Sequence, residues 1–208
     1  AQEDLTCNFL EQLWSQGGTL VGEAGTVALD GPETYAALEG MQGFLTTGVS
    51  PTDTAAYDEV AVLSAFRNGE ALFMRNWYPA WAYVNSPDAP VAGQVGLGPL
   101  PVSCAGGLSL GLSVHSLHPQ EALRFMAYLV GYESQAGMAL AAGQPPVLKA
   151  VYEDENLLNQ QPVLELLGPA FRTARPRPTV PDYAQMSHAI AANVHRMLAN
   201  EQDIESTV

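Results

Sequence analysis

The densest concentration of recognition chemistry in the sequence is Arg75-Asn76-Trp77-Tyr78-Pro79-Ala80-Trp81, with three aromatics and two polar groups in seven residues. An aromatic face stacks on a ring of C–H groups, Asn offers both a donor and an acceptor, and Arg offers a planar fork of donors. Ligand pockets are built in this way, from apolar walls and a few placed polar groups. The ligand that suits such a wall is neutral, hydroxylated and ring-shaped, as sugars are. Trp81 reads as a core residue, whereas Trp77 and its neighbours Asn76 and Tyr78 read as lining a site. Gly106-Gly107 allows two readings, a turn before a strand or a place where backbone approaches a ligand closely.

Catalysis finds no comparable constellation. Glu153-Asp154-Glu155 lies in a polar, loop-like stretch and reads as solvated surface. Asp58-Glu59 sits at a helix start, where carboxylates favour the dipole without further purpose. A glycoside-cleaving pair would need two carboxyls roughly 5–9.5 Å apart across the bond, and Glu59 has no second carboxylate among the motif residues. His115, His118, His188 and His195 show no nucleophile–base spacing with Cys7 or Cys104, and the two cysteines are far from any zinc spacing. No catalytic residue, metal or cofactor is therefore assigned. For Cys7 and Cys104, two buried thiols and a disulfide both stay open.

The formal charge is −14, from 8 Lys and Arg against 22 Asp and Glu. Such a surface repels phosphate backbones and anionic headgroups, which argues against nucleic acid and lipid as partners. No stretch approaches the roughly 20 apolar residues that span a bilayer. The chain opens at Ala1 with a polar, acidic segment, and this start is read as a truncation or processing point.

The elements that must position these residues are mixed α and β. Leu5, Phe9, Leu10, Leu13 and Trp14 predict a helix over 4–16, stopped by Gly17-Gly18. A short hairpin follows over 19–30. A second helix begins near Asp30-Gly31-Pro32-Glu33 and runs to Gly48, with Tyr35, Leu38, Met41, Phe44 and Leu45 on one face. A third covers 58–68, with Val62, Leu63 and Phe66 inward. Strands are expected at 71–75, 95–100 and 108–114, where Leu108, Leu110, Leu112 and Val114 alternate with small polar residues. Helices at 119–130 (inward face Leu123, Met126, Ala127, Val130), 133–142, 162–172 and 183–199 complete the chain. Before the last of these, Arg175-Pro176-Arg177-Pro178-Thr179-Val180-Pro181 is held extended by its prolines.

Four segments in order give a resemblance. They are Cys7-Asn8-Phe9-Leu10-Glu11 with Trp14 and Gly17-Gly18; Phe66-Arg67-Asn68-Gly69-Glu70-Ala71 followed by Phe73-Met74-Arg75-Asn76-Trp77; Gly98-Pro99-Leu100-Pro101 with Cys104 and Gly106-Gly107; and Arg177-Pro178-Thr179-Val180-Pro181-Asp182-Tyr183 with Ser187. Together the chain resembles the extracellular solute-binding proteins of ABC sugar importers, in particular the trehalose/maltose-binding group. The resemblance implies an α/β fold of the type II periplasmic-binding-protein kind, with this chain as its carboxy-terminal half. It implies a second-lobe portion over 1–107, hinge-crossing elements over 108–174 that pack on the first lobe, and a return segment with a helix-rich end over 175–208. It also implies ligand contacts from Trp77 (stacking), Arg177, Glu59 and the backbone at Gly106 and Gly107. Many members carry a Trp just after that glycine pair, where this chain has Leu108. The implied partners are a small neutral sugar such as a disaccharide and ABC permease subunits, and the implied location is extracytoplasmic. Exposed apolar surface on 108–150 could also lead to self-association. A glycoside-acting enzyme and a non-transport carbohydrate-interaction module are the competing expectations.

Overall fold

Phe9, Leu10 and Leu13 recur at three- and four-residue spacing, so a helical backbone gathers them on one stripe, and each is at most 2% exposed. The computed structural model describes residues 2–22 and 25–208. Its helices, in chain order, are α1 (Gln2–Ser15), α2 (Pro32–Thr46), α3 (Glu59–Arg67), α4 (Ala80–Val84), α5 (Pro119–Leu129), α6 (Tyr132–Ala142), α7 (Glu155–Gln160), α8 (Leu164–Thr173) and α9 (Tyr183–Leu198). Short 3₁₀ turns cover Thr52–Ala56 and Lys149–Glu153. The chain divides into two compact units. The first comprises Ala1–Val62, Leu100–Ala105 and Ala174–Val208, and the second Leu63–Pro99 and Gly106–Thr173.

In the first unit α1 packs against both α2 and α9. Its stripe meets Ala37, Leu38 and Met41 of α2 and Ile190, Ala191, Val194 and Met197 of α9, all buried. Gly17, at φ 86°, and Gly18 end α1, with the Gly18 amide donating to the Leu13 carbonyl at 3.0 Å. A Cβ on Gly18 would stand 2.4 Å from Leu13 Cδ1, so the glycine pair stops the helix and lets the chain fold back on it. Leu10 is fully buried at the centre of this cluster. Leu10→Ala is expected to lower stability by roughly 2–5 kcal/mol, read from a urea titration at unchanged slope.

The buried face of α2 differs from the expected one. Thr34, Ala37, Leu38 and Met41 are buried, whereas Phe44 is 46% exposed and Tyr35 is half-buried. The stripe that meets α1 is rotated toward small residues, which let the two helices approach. Asp58 accepts a hydrogen bond from the Ala61 amide at 2.9 Å and so caps α3.

Unit 2 is built around α6, with Ala136, Val151 and Leu157 buried together against Leu140 and Leu148. Tyr152 and Phe171 add an edge-to-face contact with centroids 6.2 Å apart. Helix α5 buries none of its residues. Leu123, Ala127 and Val130 of its expected inward face are exposed.

The predicted strands at 71–75, 95–100 and 108–114 form no ladder. Among the described residues, pairing is confined to isolated bridges, antiparallel between Val21 and Val27 and parallel between Cys104 and Arg175. The first lies in the expected hairpin, whose residues 23 and 24 are outside the described residues. The physical reason is that a strand is stable only against a neighbour that takes its amides and carbonyls. The alternation at 108–114 finds no such neighbour here. Leu108, Leu110 and Val114 stand in solvent, Leu108 and Val114 more than nine-tenths exposed, and Leu112 is half-buried.

Candidate functional site

In unit 2, Trp77 leads out of an extended segment into the turn before α4. Its amide donates to Asn76 Oδ1 at 2.7 Å, and Asn76 Nδ2 lies 3.6 Å from Met74 Sδ. The Arg75 guanidinium stands over the indole, 4.4 Å from the ring centroid, in a cation–π arrangement. The indole also lies against the backbone of Gly106: a Cβ there would come 2.7 Å from Trp77 Cζ3, 3.2 Å from Cε3 and 3.3 Å from Cη2. Gly106 therefore makes room for the Trp77 ring itself. This adds a third account of the glycine pair to the two the sequence left open. Gly107 adopts φ 151°, a backbone conformation that side chains other than glycine's rarely take.

Asn76, Trp77 and Tyr78 are all half-buried, the exposure expected of side chains that line a site. Burial raises the Tyr78 hydroxyl above its usual pKa. Tyr152, whose hydroxyl donates to the Pro146 carbonyl at 2.6 Å, is pushed up to about 12 by burial and by the neighbouring Tyr78. Trp81 is also half-buried, so it is not the enclosed core residue the sequence suggested.

In unit 1, Arg177 is held by an acidic hub that the sequence reading did not single out. Glu3, in the first turn of α1, accepts from Arg177 Nη1 at 2.6 Å, from the Tyr183 hydroxyl at 2.6 Å and from Ser187 Oγ at 2.5 Å. Ser187 is buried, and Thr6 Oγ1 donates to its carbonyl at 3.0 Å. Tyr183 and Ser187 stand four residues apart on α9 and so share a face. Burial raises the Glu3 pKa, but the hydrogen bonds from Ser187, Tyr183 and Arg177, with the Arg177 charge, outweigh it and leave the carboxyl below its usual range. The same contact holds Arg177 more firmly protonated.

Glu59 is exposed at the first turn of α3. The remaining carboxylate cluster has structural work. Asp154 caps α7 through the Asn156 and Leu157 amides and accepts from the Tyr132 hydroxyl, and Glu153 pairs with Lys149 at 2.8 Å. Among the described residues no three His, Cys, Asp or Glu side chains gather as a metal site. None of the described helices is long and apolar enough to cross a membrane. A cleft of about 420 Å³ in unit 1, between Trp14, Leu20 and the 175–180 segment, includes none of the expected contact residues.

The structure thus joins Trp77 with Gly106 in one unit and places Arg177 on Glu3 in the other. Glu3 sits 174 positions from Arg177, a separation at which no sequence spacing could flag it.

Comparison with known proteins agrees with this architecture. The chain is 30% identical over 210 residues to a Deinococcus radiodurans protein described as "Probable ABC transporter-binding protein", covering 96% of this chain and 50% of that protein. It superposes on the maltose-bound MalE3 of T. maritima with a TM-score of 0.92 at 39% identity, over 99% of this chain and 55% of that one. A Thermotoga lettingae ABC transporter solute-binding protein bound to α-D-tagatose gives a TM-score of 0.85 at 24% identity, covering 99% and 54%, a likeness of fold. The chain spans about half the length of the relatives it matches. The fold is that of type II periplasmic sugar-binding proteins, present in part. The profile of the bacterial extracellular solute-binding proteins matches residues 3–163, and the chain belongs to that family.

Proposed function

We propose that this chain is a sugar-binding part of the substrate-binding component of an ABC-type carbohydrate importer, outside the cytoplasm, and that it takes a small neutral sugar of disaccharide size. The observation that carries the reading is the Trp77 indole, half-buried, backed by the bare Gly106 backbone and covered by Arg75 at 4.4 Å. The Gly106 backing fixes the ring at little entropic cost, and a stacking sugar would take the face that the Arg75 guanidinium covers. Within unit 2 its contacts are Trp77 for stacking and Asn76, Tyr78 and the Gly106-Gly107 backbone for hydroxyls; Arg177 and Glu59 are proposed as ligand contacts separately, on the family resemblance. Maltose in the MalE3 relative supports a disaccharide, and the family supports permease subunits as partners.

The exposed apolar residues of unit 2, among them Leu108, Val114, Leu117 and Phe125, are read as surface that the other half of such a protein covers. The second-lobe and hinge-crossing divisions at 1–107, 108–174 and 175–208 belong to the same proposal. The 208-residue chain by itself is therefore expected to bind sugar weakly and to self-associate as concentration rises. Calorimetry with trehalose and maltose, beside sedimentation across a concentration series, tests this. Micromolar affinity together with a monomer at all concentrations would overturn it. Binding without sugar turnover separates this reading from that of a glycoside-acting enzyme.

A further inference from the structure

The chain leaves unit 2 after Pro99 and re-enters it at Gly106, so Leu100–Ala105 is a six-residue excursion into unit 1. Cys104 makes the parallel bridge to Arg175, flanked by the Arg175 amide donating to the Ser103 carbonyl and the Ala105 amide donating to the Arg175 carbonyl, both at 2.8 Å. The Cys104 amide donates to Glu11 Oε1 of α1 at 2.8 Å. In the same place Cys104 Sγ lies 3.4 Å from Cys7 Sγ, with Cys7 fully buried and Cys104 6% exposed. Both are thiols in the structure.

We propose that Cys7 and Cys104 form a disulfide that ties the 100–105 excursion to α1 and thereby fixes the stretch that carries Arg177. Cys7 is covered by neighbouring packing, and Thr6 beside it bonds to Ser187 of the Glu3 hub. The tether thus joins the first unit's core to the 100–105 excursion. The redox step is an exchange: one Sγ–Sγ bond forms, two protons and two electrons leave the thiols, and the S–S bond of a disulfide oxidant breaks to give two thiols. The contact with Cys104 and then burial push the Cys7 thiol well above its usual range, so the folded thiol holds little thiolate to attack with. The bond therefore forms while the chain folds, before the pair is enclosed. In the cell it rests on the extracytoplasmic reading, since cytosolic thiols stay reduced.

The test is independent of export. The chain is unfolded in reductant, refolded in glutathione with glutathione disulfide, then alkylated after denaturation and weighed. The expected product is unalkylated and lighter than the reduced chain by two hydrogen atoms, and reduction lowers its Tm by on the order of 10 °C. Cys7→Ser and Cys104→Ala should each carry one alkyl group or one glutathione, with a Tm indifferent to reductant. Two alkyl groups on the refolded wild type, or a glutathione on each cysteine, would overturn the proposal whether or not the variants fold. Failure of export would leave this result untouched and show only in a fractionation experiment.

Discussion

On the proposed sugar-binding role, Trp77→Ala is expected to lower affinity for sugar by about 10- to 150-fold, equivalent to roughly 1.5–3 kcal/mol. That is the transfer value of a fully buried large apolar side chain, and here it is lost from the stacking face. The effect should fall on dissociation more than association, because the ring is a wall that holds the ligand and not a charge that steers it. Trp77→Phe should recover a large part of the loss by keeping an aromatic face. Gly106→Ala supplies the complementary test, since it leaves every proposed contact chemically intact. The added methyl would sit 2.7 Å from Trp77 Cζ3, so the indole must move. Affinity should drop by around tenfold, with a changed tryptophan emission in the unliganded protein. Unchanged affinity in Trp77→Ala would remove the ring from the site.

The second large effect concerns Arg177. Its Nη1 is engaged by Glu3, and a guanidinium carries further N–H donors that can reach a hydroxylated ligand. Arg177→Ala should cost about 1.5–3 kcal/mol of binding, the usual worth of hydrogen bonds from a charged donor. Glu3→Gln keeps the Arg and removes its anchor, so a smaller loss is expected. The pair is only partly shielded, with side chains 31% and 42% exposed, so solvent screening discounts its contribution to stability. A titration separates the two effects. Because the Glu3 carboxyl is held below its usual range, its contribution is fully present above the ordinary glutamate value of about 4.3 and fades as pH falls through the depressed folded value. Affinity of the wild type should thus stay flat from pH 8 to about pH 5 and weaken only in stronger acid. The weakening should be absent from Glu3→Gln. A wild-type affinity that fell steadily from pH 8 downward would refute Glu3 as the anchor.

The helices were legible because their signals are local. The α1 stripe, the Gly17-Gly18 stop, the Pro32 start and the last helix over 183–199 each have signals within a few turns of chain, and each is present. The strands at 71–75, 95–100 and 108–114 were not, because a ladder depends on a partner that the segment's own pattern does not specify. The aromatic and polar types at 75–81 pointed to Trp77 without aid, since a surface Trp beside Asn and Arg is chemically informative. The support behind it was hidden, because the indole meets Gly106 only through the fold. The same holds for Glu3: an acidic residue in the first turn of a helix is what the dipole alone would favour, and nothing nearby announces Arg177. Cys7 and Cys104 lie 97 positions apart, which is why spacing left them open and only the fold brought their sulfurs to 3.4 Å.

Whether Trp77 forms the stacking wall of a sugar site is decided by a crystal structure of the protein with its sugar. The expected result is a pyranose or furanose face lying parallel to the Trp77 indole at van der Waals distance, with hydroxyls within hydrogen-bonding reach of Asn76 or the Gly106-Gly107 backbone. A sugar bound away from Trp77, with the indole unmoved and in no contact with it, would contradict that role.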